Sequence, residues 1–145
     1  MDWNEYFMRM ADFVSTKSKD KSTKCGAVIV DRESNAILSS GYNNPCRGVN
    51  DEDPAIHERP EKYFHFEHSE RNAIYNAARL GTALEGSKIY ITGPPCMDCA
   101  RAIVQSGISE VYFKEPSEDF KTRWKESYEK SIKLFNDTNV IWRQL

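Results

Sequence analysis

Four residues in two short motifs have the types and spacing to hold a metal ion and to use it. His68-Ser69-Glu70 opens one expected helix, and Pro95-Cys96-Met97-Asp98-Cys99 opens the next. Cys96 and Cys99, three apart at a helix start, share one face and can grip one ion. His68 and Glu70 are two apart, roughly 200° around a regular helix, so they converge only if His68 stands at the very start of its helix. One imidazole and two thiolates leave zinc a fourth position for water, the mark of a catalytic rather than a structural site. The set is formally neutral around Zn²⁺, and two helix amino termini aimed at it favour thiolates. Glu70 is then free to act as a proton shuttle instead of a ligand. Alone, a C-x-x-C is often a structural half-site and an H-x-E carries little information. In this order, each opening a helix, the two together are specific.

The surrounding pattern supplies elements to position them. Asp2 to about Lys17 carries apolar residues at helical spacing, including Phe7, Met10 and Val14. Cys25–Asp31 reads as a buried strand, with Ala36–Ser40 as its antiparallel partner. Residues Gly41 to about Tyr63 form a long irregular stretch, and such stretches inside a compact domain are often functional. Helices are expected over Glu67–Leu80 (stopped by Gly81), Met97–Ser106 and Phe120–Phe135. Strands are expected over Lys88–Thr92, Val111–Lys114 and Val140–Arg143. The order α-β-β-α-β-α-β-α-β implies an α/β fold: one domain over residues 1–145, a mixed sheet of about five strands and helices on its faces. The βαβ steps after Lys88 should pair in parallel.

Composition narrows the class of function. The chain has 145 residues, 39% hydrophobic and 29% charged, with net charge −2. A polymeric nucleic acid usually demands a basic footprint, and none is visible, although a few arginines suffice for a small anion. No apolar run approaches the roughly 20 residues of a membrane span, and the start MDWNEYFMRM lacks a signal peptide's apolar region. A cytoplasmic location is expected. Four cysteines there point to metal or burial rather than disulfides.

Three further segments carry a resemblance. Cys25–Val30 (CGAVIV) is similar to the first core strand of the dCMP (deoxycytidylate) deaminases, within the cytidine deaminase superfamily. The run from Gly41 to Gly48 (GYNNPCRG) is similar to their GYNG-x-P-x-G loop, with Asn44 where glycine is usual. Glu58 to Tyr63 (ERPEKY), with His68 to Arg79 after it, resembles their bacterial and phage branch. The resemblance implies a three-layer α-β-α fold and hydrolytic deamination of dCMP to dUMP, which feeds thymidylate synthesis. It also implies a catalytic zinc on His68, Cys96 and Cys99, a homo-hexamer, activation by dCTP, and inhibition by dTTP with Mg²⁺.

On that basis Asn43, Ser69, Arg79 and Tyr112 are expected at the substrate. Lys24, Tyr42, Asn44, Arg47 and Arg59 are expected at an effector nucleotide. Six of them have a plainer reading: Asn43 as a turn former, Arg79 as a solvated or interface charge, Tyr112 as core or rim packing, and Lys24, Arg47 and Arg59 as surface charge. Cys25, Cys46, His57 and His65 show no tight ligand spacing, and packing or loop roles are expected for them. Rival functions are a tRNA adenosine deaminase, which would need a basic surface, a cytidine or guanine deaminase, and a zinc-stabilised nucleotide-binding module, which would not need Glu70.

Overall fold

The computed structural model describes residues 1–145. Helix α1 (Trp3–Ser15) opens with the Asp2 carboxylate accepting a hydrogen bond from the Glu5 amide at 2.8 Å. Strand β1 (Gly26–Val30, sequence GAVIV) is buried along its whole length, as suits a strand with neighbours on both edges. It lies antiparallel between β2 (Ile37–Tyr42) and β5 (Lys88–Ile91). Strands β6 (Glu110–Phe113) and β7 (Ile141–Gln144) continue the sheet in parallel, giving the mixed order β2-β1-β5-β6-β7.

Alternation along these strands sorts the core into two faces. Val28, Val30, Tyr90 and Tyr112 point to one side and pack under Phe7, Met8 and Ala11 of α1. Ala27, Ile29, Ile89, Ile91, Val111 and Phe113 point to the other side. There they meet α3 (Ser69–Leu80), α4 (Met97–Gln105) and α6 (Lys125–Asp137) through Ala73, Ala77, Ala100, Ile103 and Phe135. The result is the expected three-layer α-β-α arrangement. No helix is long and apolar enough to cross a membrane.

Three departures from the expected elements bear on the site. The stretch from Gly41 to Tyr63 is partly ordered: Gly41 and Tyr42 finish β2, and Asn44–Pro45 (β3) pairs with Phe66–Glu67 (β4) as a two-stranded ribbon. Pro54–Ile56 forms a 3₁₀ turn, and Lys62–His65 one short helix, α2. Because Glu67 belongs to that ribbon, α3 starts at Ser69 rather than Glu67. The expected helix over Phe120–Phe135 is two helices, α5 (Glu118–Arg123) and α6, broken at Trp124 with φ −116° and ψ 22°. The break has a physical basis: α6 lies along the sheet and buries Ser131 and Phe135, whereas α5 buries no side chain and turns toward a cavity.

Helix α3 is fastened to β2 along its length. Ser39 donates to the Ala73 carbonyl at 2.6 Å, Asn72 to the Tyr42 carbonyl at 2.8 Å, and Asn76 to the Ser40 carbonyl at 2.7 Å. Between them Gly41 lets the two backbones touch, since a Cβ there would lie 2.3 Å from the Ala73 amide nitrogen and 2.5 Å from the Ser69 carbonyl oxygen. At the far end Gly81 takes φ +71° and closes α3.

Candidate active site

The helix starts resolve the geometric problem set by the spacing of His68 and Glu70. His68 is not within α3 but is its N-cap, with extended backbone (φ −78°, ψ 154°). Cys96 is the N-cap of α4 in the same way (φ −71°, ψ 172°). Neither side chain caps its own helix, so both are free to turn toward each other. Cys99, one turn into α4, is fully buried. The His68 Nδ1 atom lies 3.5 Å from Cys96 Sγ and 3.4 Å from Cys99 Sγ, and all three donors fall within 4.8 Å of one another. Tetrahedral zinc with its usual N and S bond lengths has an N···S edge of about 3.6 Å. The donors therefore fit that ion in both chemistry and spacing.

Their proton affinities tell the same story. Hydrogen bonding from the Cys99 thiol, then from His68, brings the Cys96 thiol down to about 4. The Cys99 thiol is pushed up because its proton is held against the Cys96 sulfur and because it is buried. A divalent cation bound by both sulfurs displaces their protons. Glu70 lies beside them and is only 6% exposed; burial raises its carboxyl above the usual carboxylate range. A carboxyl raised in this way is suited to taking and returning protons.

A brace that spacing did not suggest joins the two ligand-bearing helices. The Arg71 guanidinium pairs with Glu67 at 2.5 Å and reaches Asp98 at 3.7 Å, tying the first turn of α3 to that of α4. The Glu67 carboxylate also accepts from the His68 amide at 2.9 Å, which steadies the N-cap.

His68, Glu70 and Cys96 line a cavity of about 510 Å³, with Cys99 buried behind them. That is within the range of sites for small molecules. Ser69 and Asn43 line it, along with Arg59, Tyr63, Arg123 and Trp124. The Ser69 hydroxyl is buried and has no hydrogen-bond partner. The Asn43 side chain is largely committed to the fold. Its Oδ1 accepts from the Cys25 amide at 2.7 Å, and its Nδ2 donates to the Thr23 carbonyl at 2.9 Å and to Asp20 at 3.2 Å. One acceptor lone pair remains for a ligand. Asp20 in turn pairs with Lys62 at 2.9 Å, both side chains nearly buried. Burial opposes the Asp20 charge, but Lys62 and the Ser22 and Thr23 amides prevail and hold its carboxyl below the usual range. Cys25 also lines the cavity, and burial pushes its thiol up to about 11, so it is a neutral wall.

The remaining expected residues do not converge. Tyr112 is not on the cavity: its ring stacks on Tyr90 at 4.7 Å beneath α1, and its hydroxyl donates to Glu110. Alternation along β6 sends it to the face opposite Val111 and Phe113. Arg79 is exposed at the far end of α3 and lines a groove with Arg47 and Asn76. The five effector residues are split three ways. Tyr42, Asn44 and Arg47 line a depression of about 170 Å³ that shares no residue with the metal cavity. Arg59 is on the metal cavity itself. Lys24 lines an adjoining cavity of about 430 Å³ that also reaches Glu70. His57 bonds the Asp51 carbonyl and His65 the Glu61 carboxylate, so neither joins a second metal cluster.

Sequence and fold comparisons match this geometry. The chain is 43% identical over 138 residues to an uncharacterized deaminase of Aliivibrio fischeri, covering 95% of this chain and 90% of that protein. It is 37% identical over 118 residues to human deoxycytidylate deaminase, covering 78% of this chain but 65% of the human protein's length. The crystal structure of dCMP deaminase from cyanophage S-TIM5 in complex with dCMP and dUMP superposes with a TM-score of 0.78 at 25% identity, over 100% of this chain and 99% of that one. The signature of the cytidine and deoxycytidylate deaminase zinc-binding region spans residues 1–115, and with the ligands, the buried carboxylate and the fold in agreement, the chain belongs to that family.

Proposed function

We propose that this protein hydrolyses dCMP to dUMP and ammonia, with His68, Cys96 and Cys99 holding zinc and Glu70 moving the protons. The observation that carries the reading is the buried Glu70 carboxylate beside three donors spaced for zinc, with Glu70, His68 and Cys96 on one cavity and Cys99 buried behind them. The chemistry zinc supplies at a site with three protein ligands is Lewis acidity toward water. Glu70 takes a proton from the attacking water and delivers it to the ring nitrogen N3. The water oxygen bonds to C4, and the bond from C4 to the exocyclic nitrogen breaks. Glu70 takes the second proton from the hydroxyl now on C4 and passes it to the exocyclic nitrogen, which leaves as ammonia while the C4 carbonyl forms. Arg71 and Glu67 act at one remove, by holding the two helix starts in register. Asn43 keeps the Thr23–Cys25 wall in place.

The choice of dCMP is supported by the human relative's name and by the cyanophage enzyme's complex with dCMP and dUMP. A net charge of −2 favours a small nucleotide over tRNA. Loss of absorbance on incubation of the zinc-loaded protein with dCMP, run beside deoxycytidine, cytidine and an RNA hairpin, tests the reading. Turnover of the hairpin alone, or equal efficiency on dCMP and deoxycytidine, would refute it.

We extend the proposal to a cytoplasmic homo-hexamer activated by dCTP and inhibited by dTTP with Mg²⁺. Its support is the family resemblance and the depression lined by Tyr42, Asn44 and Arg47, distinct from the metal cavity. Saturation curves for dCMP with and without each triphosphate decide the matter; effects no greater than simple competition would refute the extension while leaving the chemistry intact.

A further inference from the structure

We propose that Arg59 and Arg123 form a two-guanidinium clamp for the 5′-phosphate, so that nucleotides are preferred to nucleosides. The clamp rests on the deaminase reading above and deepens it. At one end of the cavity lies Glu70, almost fully buried beside the thiolates. A cytosine must present its amine there, so the ribose and phosphate extend toward the open end. The exposed residues of the cavity wall include Arg59, Tyr63, Asp119, Arg123 and Trp124, so a single carboxylate stands among the two guanidiniums. Arg59 and Arg123 are the only lysine or arginine side chains on this wall.

Both guanidiniums are available. Arg59 makes no ion pair; its guanidinium carbon stands 5.8 Å from the centre of the Tyr63 ring. Arg123 has one partner, Asp119 at 3.4 Å, with both side chains mostly in water. Pairs of that kind are weak and give way to a better-placed anion. A phosphate dianion matches the planar fork of arginine through paired N–H···O bonds.

The break at Trp124 supports the assignment independently. Helix α5 has six residues and buries none of them, so it contributes little to the core. What it does place on the cavity is Asp119, Phe120 and Arg123, followed by Trp124 at the turn into α6. A segment that packs so little and lines the cavity so fully is suited to contacting a ligand.

The test compares wild type with Arg59→Ala, Arg123→Ala, the double variant and Arg123→Lys. Lys130→Ala, on the exposed side of α6 and off the cavity, controls for net charge. The first readout is the ratio of kcat/KM for dCMP over deoxycytidine. Each alanine variant should lower it about 10- to 100-fold, chiefly through KM, and the double variant more. Arg123→Lys should recover part of the loss, and Lys130→Ala should keep the ratio. The second readout is calorimetric binding of dUMP and deoxyuridine, which does not need turnover. Affinity for dUMP should fall by a similar factor in the alanine variants. If wild type prefers dCMP and the double variant keeps that preference, the clamp is refuted and the deaminase reading stands. If wild type treats dCMP and deoxycytidine alike and binds dUMP no better than deoxyuridine, the nucleotide reading and the clamp fall together.

Discussion

Gly41→Ala should damage the enzyme out of proportion to one methyl group. The added Cβ would lie 2.3 Å from the Ala73 amide nitrogen, where ordinary contact begins at 3.4 Å, so β2 and α3 must part by about 1 Å. The obstructing atoms are helix backbone, so no side chain can rotate away. Parting by about 1 Å would carry the three hydrogen bonds across that seam, at 2.6, 2.7 and 2.8 Å, beyond bonding range. At roughly 1 kcal/mol net each, the loss is about 3 kcal/mol. The gain of about 0.4–1 kcal/mol from a stiffer unfolded chain offsets only a fraction. Because α3 begins with Ser69 and Glu70, the displacement also reaches the chemistry, where a 1 Å misplacement can cost about 100-fold in rate. Urea unfolding followed by circular dichroism reads the first effect, and kcat/KM for dCMP on folded, zinc-loaded protein reads the second. A stability loss under about 1 kcal/mol together with near-normal kcat/KM would show that the seam does not position Glu70 as argued.

Glu70→Gln should keep zinc and the fold but lose at least about 10²- to 10⁴-fold in kcat, since one carboxylate serves more than one proton transfer; turnover near wild type would identify another shuttle. Cys96→Ser should lower zinc content, read by atomic absorption, and reduce thermal stability, because the site joins two helix starts; full occupancy with unchanged melting would remove Cys96 from the ligand set. Asp20→Asn should destabilise by about 1–3 kcal/mol at pH 7, leaving Lys62 without its counter-charge. The Asp20 carboxyl is held below its usual range, so its stabilisation is present above about pH 4 and fades as pH falls through the lowered value. The gap between wild type and variant should therefore close on acidification; a gap independent of pH would refute the charge argument.

What could be read from sequence follows the range over which each signal acts. His68, Glu70, Cys96 and Cys99 are legible because each motif is a few residues long and metal coordination tolerates little variation in type. The helices and strands of the core are legible because burial imposes a period on neighbouring residues. The orientation of Tyr112 was also available in principle, since Val111 and Phe113 flank it on the opposite face of β6. The break at Trp124 has no glycine or proline to announce it and arises from what α5 and α6 each pack against. Asp20 and Lys62 are 42 residues apart, and nothing local marks them as partners. Asn43 shows the converse case: a loop residue expected at the substrate spends most of its hydrogen-bonding capacity holding the loop before β1.

The family signature ends at residue 115, and α5 with the turn at Trp124 begins just after it. Every proposed zinc ligand, the proposed proton shuttle Glu70 and the brace between their helices lie within the signature; Phe120, Arg123, Trp124 and Tyr128 lie outside it. The reacting groups thus lie on one stretch of chain, while the proposed clamp draws Arg59 from within that stretch and Arg123 from beyond it. Drift in a short, poorly buried helix can change which molecule is admitted, while the hydrolytic apparatus behind it stays the same. Substrate choice can therefore be altered in α5 and the turn after it without touching the residues around the metal site.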